Sequence, residues 1–217
     1  MTNLSENSDL MGVMSMNVNK KSGRPRLLPK EELAAIMFSI FADKGYEATS
    51  LNDLTQATGT KPATLYQAFG NKEGMFIAAL EHYKATWLPD LEAILSSEEL
   101  SFSNKIKQFL FSAFNLFSCE GKPPGCLLVF SALTFRPEAS SLGAELFNER
   151  HAFKAWIIEE AQLAQQNNTL SGKLSPDEAA EFILTFESGL ALMALDNPDQ
   201  EVINSMIDKV IDAVMCE

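Results

Sequence analysis

The chain is poor in the residues that build metal and disulfide sites. Its 217 residues include two histidines, His82 and His151, and three cysteines, Cys119, Cys126 and Cys216. The histidines lie far apart and match no metal-ligand spacing, so no metal site is expected. An odd, widely spaced set of cysteines argues against a disulfide framework and fits a reducing cytoplasm. A glycine-rich phosphate loop is missing, as is any serine, histidine and aspartate set with a supporting motif. Neither a cofactor nor enzymatic activity is therefore expected. No apolar run approaches the ~18–20 residues that span a bilayer, which excludes a membrane helix of the usual kind. Residues 1–20 lack the basic start and apolar stretch of a secretory signal. Polar and low in complexity, they read as a disordered tail, and Met11, Met14 and Met16 offer later starts.

What is present is a divided charge. The chain carries a net −12. Residues 1–72 hold eight basic and seven acidic side chains, a balance of +1, and residues 20–72 alone stand at +3. The remainder holds nine basic and 22 acidic residues, or −13. Positive charge therefore gathers at one end, and an acidic remainder would help turn that end toward a polyanion.

The residue pattern in 29–72 is helical and tightly punctuated. A first helix is expected from about 29 to 44, with Pro29 in its first turn, Glu31 and Glu32 at its positive end, and Leu33, Ile36, Met37, Ile40 and Phe41 forming one apolar stripe. Gly45 suits a left-handed stop. Ser50 and Asp53 form a capping-box pair that opens a second helix, in which Leu51, Leu54 and Ala57 would face the first. Gly59 permits a tight turn. Thr60 reads as the cap of a third helix over about 61–69, which tolerates Pro62 in its first turn and sends Leu65 and Phe69 inward. Asn71 caps a fourth helix that begins near Lys72. Such a pair of short helices joined by a glycine turn is the layout of a helix-turn-helix.

The run Phe41-Ala42-Asp43-Lys44-Gly45-Tyr46-Glu47-Ala48-Thr49-Ser50, then Leu54 through Gly59, then Thr64-Leu65-Tyr66-Gln67-Ala68-Phe69-Gly70-Asn71-Lys72-Glu73, resembles the DNA-binding segment of TetR-family transcriptional regulators. Pro62 and Ala68 depart from the family pattern, which more often places polar or aromatic residues there. The resemblance implies that Thr49, Ser50, Tyr66 and Lys72 hold phosphates. It places Thr60, Lys61, Pro62, Ala63, Thr64 and Gln67 in the major groove, where Lys61 and Gln67 have the chemistry to bond base edges. A basic arm with Arg24 and Arg26 would reach a minor groove or track the backbone.

From Glu73 onward every element reads helical: a fourth helix toward Trp87 that Pro89 ends or kinks, a fifth around 106–117, a sixth over 126–135, a seventh over 140–166, an eighth over 175–195 and a ninth over 200–214. The expected fold is all-α: a three-helix DNA-binding domain over 27–72 behind a disordered arm at 1–26, and a six-helix ligand-binding and dimerisation domain over 73–217. The resemblance implies a homodimer paired through the eighth and ninth helices, double-stranded DNA with a palindromic operator as partner, and a small, largely apolar effector. Its pocket would include Phe109, Phe114, Phe117, Cys126, Phe130, Phe153 and Trp156, although such an aromatic stripe also suits plain core. The leading expectation is a cytoplasmic repressor released from its operator by that effector. A thiol-sensing regulator using Cys119 or Cys126, a transcriptional activator of the same fold, and an adaptor that binds protein in place of DNA stand as alternatives.

Overall fold

The computed structural model describes residues 28–215, and the arm with Arg24 and Arg26 lies outside the described residues, as does Cys216. Among the described residues there are nine α-helices: α1 (Lys30–Ala48), α2 (Leu51–Thr58), α3 (Pro62–Phe69), α4 (Lys72–Leu95), α5 (Phe102–Ser118), α6 (Leu127–Ser131), α7 (Ser141–Gln166), α8 (Pro176–Met193) and α9 (Gln200–Val214). A single 3-10 turn, Ala194–Asp196, extends α8.

α1 does not stop at Lys44. Gly45 takes φ 74°, ψ 167°, a region open essentially to glycine alone, and helical geometry resumes to Ala48. The break redirects one further turn of helix and swings Tyr46 onto Phe76 of α4 and onto Phe135, with ring centroids 5.3 and 4.7 Å apart. The buried face of α1 is Leu33, Ala34, Met37, Phe38 and Phe41. Ile36 and Ile40 are only half-buried, and Phe38 replaces them by stacking between Tyr83 and Trp87 of α4.

α4 joins the two parts of the molecule. Its 24 residues extend about 36 Å at 1.5 Å per residue. Pro89 lies inside α4 and does not end it; the helix runs on to Leu95. At its start, Asn71 Oδ1 accepts from the Gly74 amide at 2.7 Å. A Cβ at Gly74 would stand 2.0 Å from the Phe69 carbonyl oxygen, so the elbow between α3 and α4 closes only on glycine.

Behind α4, α5 is buried along Phe102, Ile106, Phe109, Leu110, Ala113, Phe114 and Phe117. α6 is shorter than the sequence pattern suggests: Leu127–Ser131 is helical, and the chain then turns to Phe135. Ion pairs tie α7 to its neighbours. Lys84 of α4 meets Glu149 at 2.5 Å, Lys154 meets Glu181 of α8, and Lys105 of α5 meets both Glu160 oxygens at 3.0 and 2.9 Å. Lys105 is 7% exposed and Glu160 is half-buried, so this last pair lies at the edge of the core. α8 starts as its sequence predicts, with Pro176 in the first turn and a complete Ser175–Glu178 capping box. Among the described residues no helix is long and apolar enough to cross a membrane.

Candidate nucleic-acid interface

The helix pair α2–α3 owes its shape to hydrogen bonds encoded next to each helix end. Ser50 Oγ accepts from the Asp53 amide at 3.1 Å, and Asp53 Oδ2 accepts from the Ser50 amide at 2.8 Å, which closes the capping box. Lys44 donates to Asp53 Oδ1 at 2.6 Å. That bond, with those from the Ser50 hydroxyl and amide, holds the Asp53 carboxyl well below the usual carboxylate range. Gly59 then adopts φ 62°, ψ 18°, and its amide bonds back to the Gln56 and Thr55 carbonyls.

α3 begins differently. Its N-cap is Lys61, not Thr60, and no side chain caps it. The Thr60 hydroxyl donates to the Thr58 carbonyl at 3.2 Å. Pro62 has no N–H and the Thr64 amide donates to the Lys61 carbonyl at 2.9 Å, so within the first turn the Ala63 amide keeps its donor capacity toward the outside, where a helix N-terminus favours an anion. Leu65 anchors the helix at 0% exposure, while Phe69 is half-buried. Lys61, Pro62, Ala63, Tyr66 and Gln67 are exposed and Thr64 is half-buried. The outer surface of α3 thus combines a cation, an amide, a phenol and small apolar groups.

Three of the expected phosphate contacts sit differently from what the motif suggests. Thr49 is 1% exposed and donates its hydroxyl to the Gly45 carbonyl at 2.7 Å, so it secures the end of α1 and does not present a donor to solvent. The Ser50 hydroxyl donates to Asp53 Oδ2 at 2.5 Å and is engaged in its own helix cap, although the residue is exposed. Lys72 donates to the Glu47 carbonyl at 3.3 Å and lies 4.4 Å from the Tyr46 ring centroid. The ammonium is thereby held beside the end of α1. Ala57, expected to face α1, is exposed, and Thr58 takes the inward position with its hydroxyl on the Leu54 carbonyl.

The expected effector region is mostly filled. Phe109, Phe114, Phe117 and Cys126 are 4, 1, 2 and 5% exposed. Phe109 packs on Phe153 at 5.2 Å, and Phe153 stacks on Trp156 at 6.3 Å. Of that set, Phe130 alone lines the cavity of about 240 Å³ that opens between α1 and α6. Sequence reasoning missed this cavity because its walls come from four separate stretches, Phe41–Tyr46, Phe76, 127–134 and Leu195. The signal in the sequence was Gly45-Tyr46, read as a stop when it is a bend.

The two described thiols differ. Burial pushes the Cys126 thiol up to about 11, and its Sγ lies 3.5 Å from the Tyr83 hydroxyl. Reactive thiols need the opposite shift. Cys119 is half-buried at the end of α5. Lys122, the cation nearest in sequence, donates to the Pro123 and Gly125 carbonyls, and burial lowers its pKa. Among the described residues no cluster of three or more potential metal ligands exists.

A compact helix-turn-helix with an uncapped, solvent-facing second helix, set on an acidic all-helical body, defines a DNA-binding regulator. The comparisons with known proteins specify which kind. Residues 38–79 match the family model described as bacterial regulatory proteins, tetR family. The HTH-type transcriptional repressor ComR of Escherichia coli strain K12 is 30% identical over 188 residues, covering 85% of this chain and 88% of ComR. The repressor BdcR of the same organism is 28% identical over 126 residues, 58% of this chain and 64% of BdcR. Among solved structures, the TetR-family regulator CifR carrying three cysteine substitutions, complexed with 26-bp double-strand operator DNA, superposes with a TM-score of 0.76. It is 29% identical, and the match spans 88% of this chain and 100% of that one. The chain belongs to the TetR family of transcriptional regulators, which bind DNA and are not enzymes.

Proposed function

We propose that the protein is a homodimeric repressor of the cytoplasm. It holds α3 of each subunit in successive major grooves of a palindromic operator and leaves the DNA when a small, largely apolar effector binds its helical body. The carrying observation is the outer surface of α3. Lys61, Pro62, Ala63, Tyr66 and Gln67 are exposed around the buried Leu65, and no side chain caps the helix at the Ala63 amide. Tyr66 and the Ala63 amide meet phosphates, while Lys61 and Gln67 meet base edges. Lys72 reaches a phosphate from its seat on Tyr46, Thr49 acts by securing the end of α1, and Ser50 by capping the start of α2.

Pairing through α8 and α9 is supported by exposed apolar side chains on those helices and the turn between them. Phe182, Leu192, Leu195 and Val202 are 43, 59, 48 and 53% exposed. Phe182, Phe186, Gly189 and Met193 recur at helical spacing along one side of α8. Twofold pairing then matches half-sites about one helical turn, ~34–36 Å, apart. The domain division at residue 72 is drawn beside the elbow at Gly74.

The experiment is a salt-controlled operator titration with an operator selected from genomic fragments. Lys61→Ala and Tyr66→Phe should weaken binding by about tenfold each while leaving helicity and dimerisation unchanged. Loss of a single phosphate contact should also lower the salt slope by about one. Wild-type affinity in both variants would refute the assignment of α3 as the reading helix. A chain that stays monomeric and enriches no fragment would refute the function itself.

A further inference from the structure

The cavity of about 240 Å³ between α1 and α6 joins the reading head to the body. Its head side is Phe41–Tyr46, the stretch that contains the Gly45 bend. Its body side is Leu127, Phe130, Ser131 and Thr134, with Phe76 of α4 behind and Leu195 at the far edge. Phe41 and Phe76 meet edge to face at 5.2 Å, and Tyr46 meets Phe76 in the same way at 5.3 Å, so the inner wall is aromatic. The polar groups are few. Ser131 donates to the Leu128 carbonyl and retains acceptor capacity. Thr134 is half-buried, and its hydroxyl bonds to none of the described residues. Lys44 is engaged by Asp53.

We propose that this cavity is an effector site for a small, uncharged aromatic molecule with one hydrogen-bonding group, of the size of a substituted phenol. A cavity of about 150 Å³ lined by apolar side chains accepts benzene, so this one has room for a ring with substituents. The aromatic wall takes the ring, and the Thr134 hydroxyl meets the polar group. An anion finds no free cation there, since Lys44 is already paired, and it meets the exposed Asp43 carboxylate instead, while any ion would lose hydration against the aromatic wall. The occupant touches α1 on one side and α6 on the other. It therefore has different contacts in any state that moves the head relative to the body, which is the requirement for coupling to DNA binding. The site rests on the repressor reading for its consequence, but the binding step is independent of DNA.

The test uses p-cresol and the full-length chain. Calorimetry without DNA should give a Kd of about 0.1–1 mM, the range open to a ligand of this size. Thr134→Trp fills the cavity and should weaken p-cresol by about tenfold or more. Thr134→Val keeps the volume, removes the hydroxyl and should weaken it several-fold. It also serves as the test if the tryptophan variant melts early. Saturating p-cresol should weaken operator binding of the wild type by about fivefold or more and leave that of Thr134→Trp unchanged. No binding by the wild type, equal binding by all three proteins, or an operator affinity indifferent to bound p-cresol would each overturn the site. Failure to find any operator would instead strike the repressor assignment and leave the calorimetric result standing.

Discussion

The reading head and the helical body behind it are held together by different physics. In the head, helix ends are set by neighbours in sequence: the Ser50–Asp53 box, Gly59 in the left-handed region, and Asn71 on the Gly74 amide. In the body, α5 and α7 are joined by Phe109 on Phe153 and by Lys105 on Glu160, partners 44 and 55 residues apart. The head is specified by short-range hydrogen bonds, each of modest worth. The body depends on long-range burial, in which one lost side chain leaves a hole or a stranded charge.

That contrast can be broken most forcefully in the body. Phe114→Ala removes a ring at 1% exposure and should cost about 3–5 kcal/mol, seen as a lower denaturation midpoint. A loss below 1 kcal/mol would mean that the aromatic body relaxes around the gap. Glu160→Ala leaves the Lys105 ammonium at the edge of the core with the Trp156 ring as its remaining neighbour, and should cost about 2 kcal/mol. Restoring most of that loss by adding Lys105→Met would separate the cost of a lone charge from the worth of the pair.

A third effect depends on pH. Glu187 of α8 is half-buried as a residue, but burial pushes its carboxyl up to about 7 from an ordinary 4.5, with Tyr83 and Cys126 nearby. The unfolded chain releases this proton near 4.5 and the folded one near 7. Stability should therefore fall as pH rises through that window and level off above it, by up to about 3 kcal/mol. Glu187→Gln should flatten this part of the profile in melts between pH 4 and 8; an unchanged slope would place its origin elsewhere. The smallest effect lies in the head. Ser50→Ala should cost about 1 kcal/mol by opening the capping box, and a fall in operator affinity beyond that loss would show that the cap also positions α3.

The same contrast explains how much was legible. The number and order of helices, the Ser50–Asp53 capping box and the turn at Gly59 follow from residues within four positions of one another. The family motif lies in that legible part. Thr49 and Thr60 were misplaced because a hydroxyl near a helix end has several carbonyls in reach, and only the fold selects Gly45 for one and Thr58 for the other. Pro89 does not end α4 because a proline inside a helix is tolerated where tertiary packing supports the helix on both sides of it. The pocket was least legible. Aromatic spacing in α5 announces burial equally well whether a ring faces a ligand or another ring, and the cavity that does exist gathers residues from 41 to 195.

Gly74 carries a last implication. With the Phe69 carbonyl so close to Gly74, the joint between the recognition rod and the long shaft has no room for a side chain. A small turn of the shaft, wherever it starts, must reappear at the tip as a change of aim, so a modest push deep in the body can suffice to spoil the fit between protein and groove.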